Sequence, residues 1–187
     1  MARMSLQEVT SSAALLFPDN STKLITPAKM RQFISELITA IRPAYGVISR
    51  VANVIQAITT TPAPVVLDTG ALSPIVDYTL TPASGRIQRN EKGMTRLTFT
   101  CDILSHTTAT GRTTTFTLFK NGVATSWRQS IVTNSITVIE SLSFPAIEYL
   151  DGVAQYEIRV SIDVGTSMTF SNVSFVAETV PVWDYTV

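Results

Sequence analysis

The sequence predicts a mainly β protein in which an N-terminal, coiled-coil-like helical trimerisation segment is followed by an antiparallel β-sandwich of the jelly-roll kind. Three observations predict it. Apolar residues near the N-terminus recur in a 4-3 alternation, period-two alternation dominates the C-terminal two-thirds, and a Thr/Pro-rich stretch divides the two patterns.

The helical pattern comes first. Met30, Ile34, Leu37, Ile41, Ala44, Ile48, Val51, Ile55 and Ile58 step by four and three, averaging the 3.5-residue repeat that holds one seam of a helix against a partner helix. Ile34, Ile41, Ile48 and Ile55 fill one layer, and the remaining five fill the other. β-branched residues at both layers favour three strands over two. The seam assigns trimerisation to Met30, Ile34, Leu37, Ile41, Ile48, Val51, Ile55 and Ile58. Two short amphipathic helices lying on their own domain would show the same spacing. Thr26 is placed as the N-cap, with Pro27 in the first helical position. Pro43, followed by Gly46, interrupts the pattern: either one helix kinks there, or a first helix ends near Arg42 and a second begins with Pro43. Burying the seam yields on the order of 15–20 kcal/mol per chain, which ordering of the backbone largely offsets. A further association must therefore lie C-terminal.

Residues 1–25 read as a polar anchoring segment with the turn-like run Pro18-Asp19-Asn20-Ser21 and an isolated apolar knot, Leu15, Leu16 and Phe17. Too polar to form a core, this docking segment is expected to be disordered when free and to order on the surface it grips. Residues 26–60 are the helical trimerisation segment, and 61–187 the jelly-roll domain including its linker. The linker, TTTPAP over Thr59 to Pro64, is extended and stiff.

The β region is read by its period of two. Val65–Leu67, Ile75–Leu80 and Arg86–Gln88 are short strands. Leu97, Phe99, Cys101 and Ile103 then alternate with Thr98, Thr100 and Asp102, which turns Cys101 inward. Phe116 and Leu118 lead into Asn121-Gly122, the strongest short hairpin signal because both residues accept positive φ. A strand returns from Val123 through Trp127 toward Ile131, and Ile136, Val138 and Glu140 begin another run. Asp151-Gly152 is a turn before the cleanest alternation, Tyr156, Ile158, Val160, Ile162 and Val164. Met168, Phe170 and Val173 to Ala177 supply the last strands. About eight to ten strands with no helices between them suit an antiparallel sandwich.

Composition points away from catalysis. The 187 residues carry no formal net charge and only 15% charged residues, so there is no basic face to displace the counterions of a nucleic acid. Ser12 to Phe17 is too short to insert in a membrane, and no secretion signal is visible, so assembly in a cytoplasm is expected. A single cysteine, Cys101, allows no internal disulfide and no cysteine-rich metal site. The sole histidine, His106, sits among threonines in a loop between strands. No serine elbow, phosphate-cradling loop or metal-spaced histidine cluster is present, so neither cofactor nor metal is expected. Glu148 and Asp151 could flank a glycosidic bond or hold calcium, although Asp151-Gly152 is explained by its turn. Trp127, Tyr149, Trp183 and Tyr185 suit stacking on a sugar or a neighbouring protein, although packing at a strand end is favoured for Trp127 and Tyr149, and Trp183 and Tyr185 could equally cover the base of the sandwich.

The stretch LFPDNSTKLITPAKMRQFISELI (Leu16 to Ile38) resembles the N-terminal part of trimeric fibre or decoration proteins of tailed bacteriophages. The hairpin TLFKNGVAT (Thr117 to Thr125) and the strand YEIRVSI (Tyr156 to Ile162) resemble the tumour-necrosis-factor-like jelly rolls that cap many such fibres. The resemblance implies a non-enzymatic virion protein, a homotrimer assembled in the host cytoplasm. Leu15, Leu16 and Phe17 would anchor it to the capsid as a head fibre, decoration or cement protein. The alternative is the tip of a tail fibre binding a host receptor or surface glycan. A cellular trimeric adhesin is a third class, disfavoured by the missing signal. Pro43 within the heptads departs from a single continuous coiled coil.

Overall fold

The computed structural model describes residues 6–16, 26–41, 44–50, 52–67, 69–72, 77–90, 92–106, 111–133 and 140–180. Two helices, α1 (Leu6–Leu16) and α2 (Pro27–Ile41), precede the strands β1 (Tyr45–Arg50), β2 (Val54–Ile58), β3 (Ala63–Pro64), β4 (Thr69–Leu72) and β5 (Tyr78–Thr81). Then follow β6 (Arg86–Arg89), β7 (Lys92–His106), β8 (Arg112–Lys120), β9 (Val123–Thr133), β10 (Glu140–Asp151), β11 (Gln155–Ile162) and β12 (Thr166–Thr179). One sheet has the order β10-β7-β12-β1-β4, with β2 also on β12. The other runs β5-β6-β11-β8-β9, with β3 also on β11. All pairings are antiparallel, and most neighbours are non-consecutive. The two sheets form a jelly-roll-like sandwich.

Alternation fills the space between them. Leu97, Phe99, Cys101 and Ile103 of β7 face Phe116 and Leu118 of β8 and Tyr156, Ile158, Val160 and Ile162 of β11, all buried. Phe116 links the layers, its ring 5.6 Å from Phe99 and 6.2 Å, edge-on, from Phe170. At one end the Tyr78 hydroxyl meets Thr179 Oγ1 across the sandwich at 3.1 Å. The turn Asn121-Gly122 has φ of 51° and 78°, the mirror-image geometry whose twist matches two paired strands.

Beyond Ile41, the helical reading of residues 26–60 is corrected. Thr26 caps α2 as expected, accepting at Oγ1 from Lys29 N at 3.3 Å. The helix ends at Ile41, just before the residues that Pro43 biases away from helix. Pro43 neither kinks one helix nor opens a second, because the chain re-emerges as β1 and β2. Ile48 and Ile58 are 0% and 1% exposed in the sandwich core, Ile55 is 75% exposed on the opposite side of β2, and Val51 lies outside the described residues. The physical reason is composition. Val47, Ile48, Val54, Ile55 and Ile58 are β-branched and prefer a pleated surface. Both strands then find a partner in β12, β1 along Val173–Glu178 and β2 along Thr166–Phe170. A bulge with Asn172 at φ 48° separates the two stretches.

Five smaller readings change as well. Residues 6–16 form a helix that packs on α2, with Ser12 Oγ hydrogen-bonded to Glu36, so this part of the N-terminal segment is ordered. The run Pro18 to Ser21 lies outside the described residues. TTTPAP crosses from one sheet to the other rather than joining two domains. Thr59 O accepts from Ile162 N at 3.0 Å, and β3 pairs with Arg159 and Val160. The amide of Gln56 clamps this crossing, donating to Pro64 O at 2.8 Å and accepting from Val66 N at 3.1 Å. Val65–Leu67 continues it without being a strand, although Val65 and Leu67 are buried. Residues Met168 to Ala177 belong to one long strand, and His106 ends β7 opposite Met168 rather than sitting in a loop.

Candidate functional site

No side chain described in α1 or α2 belongs to the buried core. Within the hairpin, Glu36 accepts from Ser12 and from Gln32 Nε2, the latter at 2.9 Å. One stripe of α2 stays uncovered, with Met30 41% and Ile34 46% exposed, while Leu37 is half-buried. Of the Ile41 residue, only the backbone is described. Leu15 is 81% exposed and Leu16 half-buried, and Phe17 lies outside the described residues. The eight assigned seam residues therefore divide. The first four sit on a helix, and Ile48 and Ile58 hold the sandwich together.

Strand register builds a second surface, on the outward face of the sheet containing β12. Ile147, Arg96, Glu178 and Tyr45 form one row across β10, β7, β12 and β1. Pro145, Thr98, Val176 and Val47 form the next, followed by Ser143, Thr100, Ser174 and Ser49. Tyr149 extends the apolar end beyond the first row, opposite Met94. Ile147, Tyr149 and Tyr45 are all exposed. The Arg96–Glu178 pair within this band, at 3.6 Å, is exposed on both sides and adds little stability. At the hydroxyl end, Asp102 accepts from Ser141 Oγ and Asn172 Nδ2, each at 2.7 Å. The bonds from Asn172 and Ser141 hold its carboxyl below the usual range. The face grades from apolar to polar, with Arg96 and Glu178 paired and Asp102 held by hydrogen bonds, a composition suited to contact with protein.

Its border is formed by β9 and β10, the edge strands of opposite sheets. Trp127 Nε1 donates to Glu148 Oε1 at 2.7 Å and ties these edges together. Glu148 is thus occupied by an indole, and the side chain of Asp151 lies outside the described residues, so the carboxylate pair is not assembled. Trp127 and Tyr149 keep 38% and 55% of their surface exposed, and Trp183 and Tyr185 lie outside the described residues. Cys101 points inward as expected, and burial, with the Asp102 charge, pushes its thiol up to about 12. Among the described residues no three His, Cys, Asp or Glu side chains converge as metal ligands.

Sequence reasoning missed the outward band. The signal was present in Pro145, Ile147 and Tyr149, which alternate with the inward Ala146 and Leu150 and leave β10 apolar on both faces.

No protein-family model and no curated sequence matches this chain. Its backbone is similar to that of Eiger, a tumour necrosis factor of S. frugiperda, with a TM-score of 0.53 and 13% sequence identity. The similarity covers 78% of this chain and 98% of that one. At this identity the likeness establishes the fold: a tumour-necrosis-factor-like jelly roll.

Proposed function

We propose that this protein is a non-enzymatic structural component of a bacteriophage virion. In this reading it is a homotrimer, assembled in the host cytoplasm and attached to the capsid by its N-terminal region as a head fibre, decoration or cement protein. The observation that carries the reading is the apolar surface of the helical hairpin, where Leu15, Met30 and Ile34 stand exposed on elements that contribute nothing to the sandwich core. Apolar surface of this kind is ordinarily covered by a partner, and a helical stripe of period 3.5 suits copies of itself. The outward band of Tyr45, Val47, Ile147, Tyr149 and Val176 offers the additional association that a short helical seam requires. Light scattering at micromolar concentration tests the assembly. Three times the chain mass is expected, and a mass near 20.3 kDa would overturn it.

The second reading, a receptor- or glycan-binding tip, is favoured by one feature. Trp127, 38% exposed, is held in place by Glu148, as the stacking ring of a sugar platform would be.

A further inference from the structure

On the outward face of the sheet opposite β12, a shallow depression of about 280 Å³ is lined by Arg86, Asn121, Gly122, Gln155 and Glu157. Glu157 points outward yet is only 2% exposed, because two arginines cover it. Arg86 Nε donates to its Oε2 at 2.8 Å, and Arg159 Nε to its Oε1 at 2.8 Å, with Arg159 Nη2 on the same oxygen. Arg159 lies over the Phe119 ring, 4.4 Å from its centroid, which fixes the guanidinium. One carboxylate between two guanidinium groups leaves a surplus of one positive charge.

The hydrogen bonds decide what this surplus can hold. Asn121 Oδ1 accepts from Gln155 N at 2.8 Å, so its other amide atom, Nδ2, is the one left over. Gln155 Oε1 accepts from Arg86 Nη1 at 3.4 Å, which leaves Gln155 Nε2. Both oxygens of Glu157 are engaged. Among the described residues, the side-chain atoms lining the depression that these hydrogen bonds leave without a partner are donors: Arg86 Nη2, Asn121 Nδ2 and Gln155 Nε2. The tight turn at Asn121-Gly122 makes one wall rigid, and Gly122 lacks the Cβ that would stand 3.9 Å from Arg159 Nη2.

We infer that this depression binds the carboxylate of an acidic saccharide residue. Uncommitted donors beside a cluster of two guanidinium groups and one carboxylate complement a monoanion rich in acceptors, and the flat guanidinium fork matches a carboxylate. The volume, just below that of sites for drug-sized ligands, suits one sugar ring whose hydroxyls accept from the two amides. The inference stands on this geometry alone. A monomer mass would overturn the trimeric reading and leave this site intact.

The test is titration of the full chain with sodium D-glucuronate, followed by the amide resonance of Gly122 and the Nε–H resonance of Arg86. Saturating shifts at millimolar concentration are expected, with no saturation by neutral D-glucose. Asn121→Asp keeps the Oδ1 acceptor and a turn-forming Asp-Gly pair, so the hairpin survives while the donor Nδ2 becomes a carboxylate oxygen. Binding should weaken by at least about tenfold through like-charge repulsion, and Gln155→Glu should act in the same direction. Glucose saturating as glucuronate does, or unchanged affinity in both variants with their spectra otherwise intact, would overturn the inference. Inorganic phosphate binding more tightly than glucuronate would overturn the saccharide assignment.

Discussion

Glu157 carries two consequences at the scale of a single residue. Burial alone would raise its carboxyl, but the hydrogen bonds and charges of Arg86 and Arg159 outweigh burial and hold it below its ordinary value of 4.5. A carboxyl with a lowered folded-state pKa stabilises the fold above the unfolded value, and that contribution is lost as pH falls through the folded value. Melting temperature should therefore drop below about pH 4.5, and Glu157→Gln should flatten this drop. At neutral pH the same variant should cost about 1–3 kcal/mol in urea denaturation, because one guanidinium group loses its acceptor and both lose the compensating charge. Cys101 gives a second expectation. Its thiol is buried and raised to about 12, and since only the thiolate attacks, a thiol-reactive dye should leave the native protein unlabelled and label it fully in denaturant.

At the scale of the element, β1 and β2 separate the strand assignment from a helical one. In a coiled coil Ile48 and Ile55 would occupy the same buried layer. In the sandwich Ile48 is 0% exposed and Ile55 75%. Ile48→Asp should cost several kcal/mol, since it buries an unpaired carboxylate, whereas Ile55→Asp should change stability by no more than about 0.5 kcal/mol. Urea melts of the two single variants check this, and equal losses would contradict the strand register. β10 shows how an edge is managed. Pro145 can sit there because one side of an edge strand needs no amide donor, and its ring blunts that side against further pairing. Among the described residues of β9, Arg128 is the only charged side chain and no proline occurs, which leaves that edge open to contact.

For the whole molecule, the helical hairpin is the part whose stability depends on assembly. Met30→Glu combined with Ile34→Glu alters two side chains already exposed in the single chain, so the sandwich should melt unchanged. If the stripe packs against other copies, three added carboxylates at each level should lower the scattering mass toward 20.3 kDa. An unchanged trimer mass would move the association to the outward sheet face. Removal of residues 2–20 tests attachment. It deletes α1 and the Leu15–Phe17 knot while leaving the sandwich, and the truncated chain is expected to fold but no longer to join particles. Normal occupancy on particles would place attachment on the β domain instead.

Much of the fold was determined by the sequence alone, because a half-buried strand must alternate. The inward sets of β7, β8 and β11, the Asn121-Gly122 turn and the Thr26 cap each follow from contacts within a few residues. The isoleucines at 48, 55 and 58 were ambiguous for a physical reason. Steps of seven and three satisfy a helical seam, and only pairing with β12, more than a hundred residues away, decides for a strand. Tertiary structure also decided that TTTPAP crosses between sheets, since the hydrogen bonds that hold it come from β11 and Gln56. The donor-lined depression was not legible at all. Arg86, Asn121 and Glu157 are adjacent only because β6 and β8 both pair with β11, and its donor character arises from hydrogen bonds that exist only once the sheet has formed.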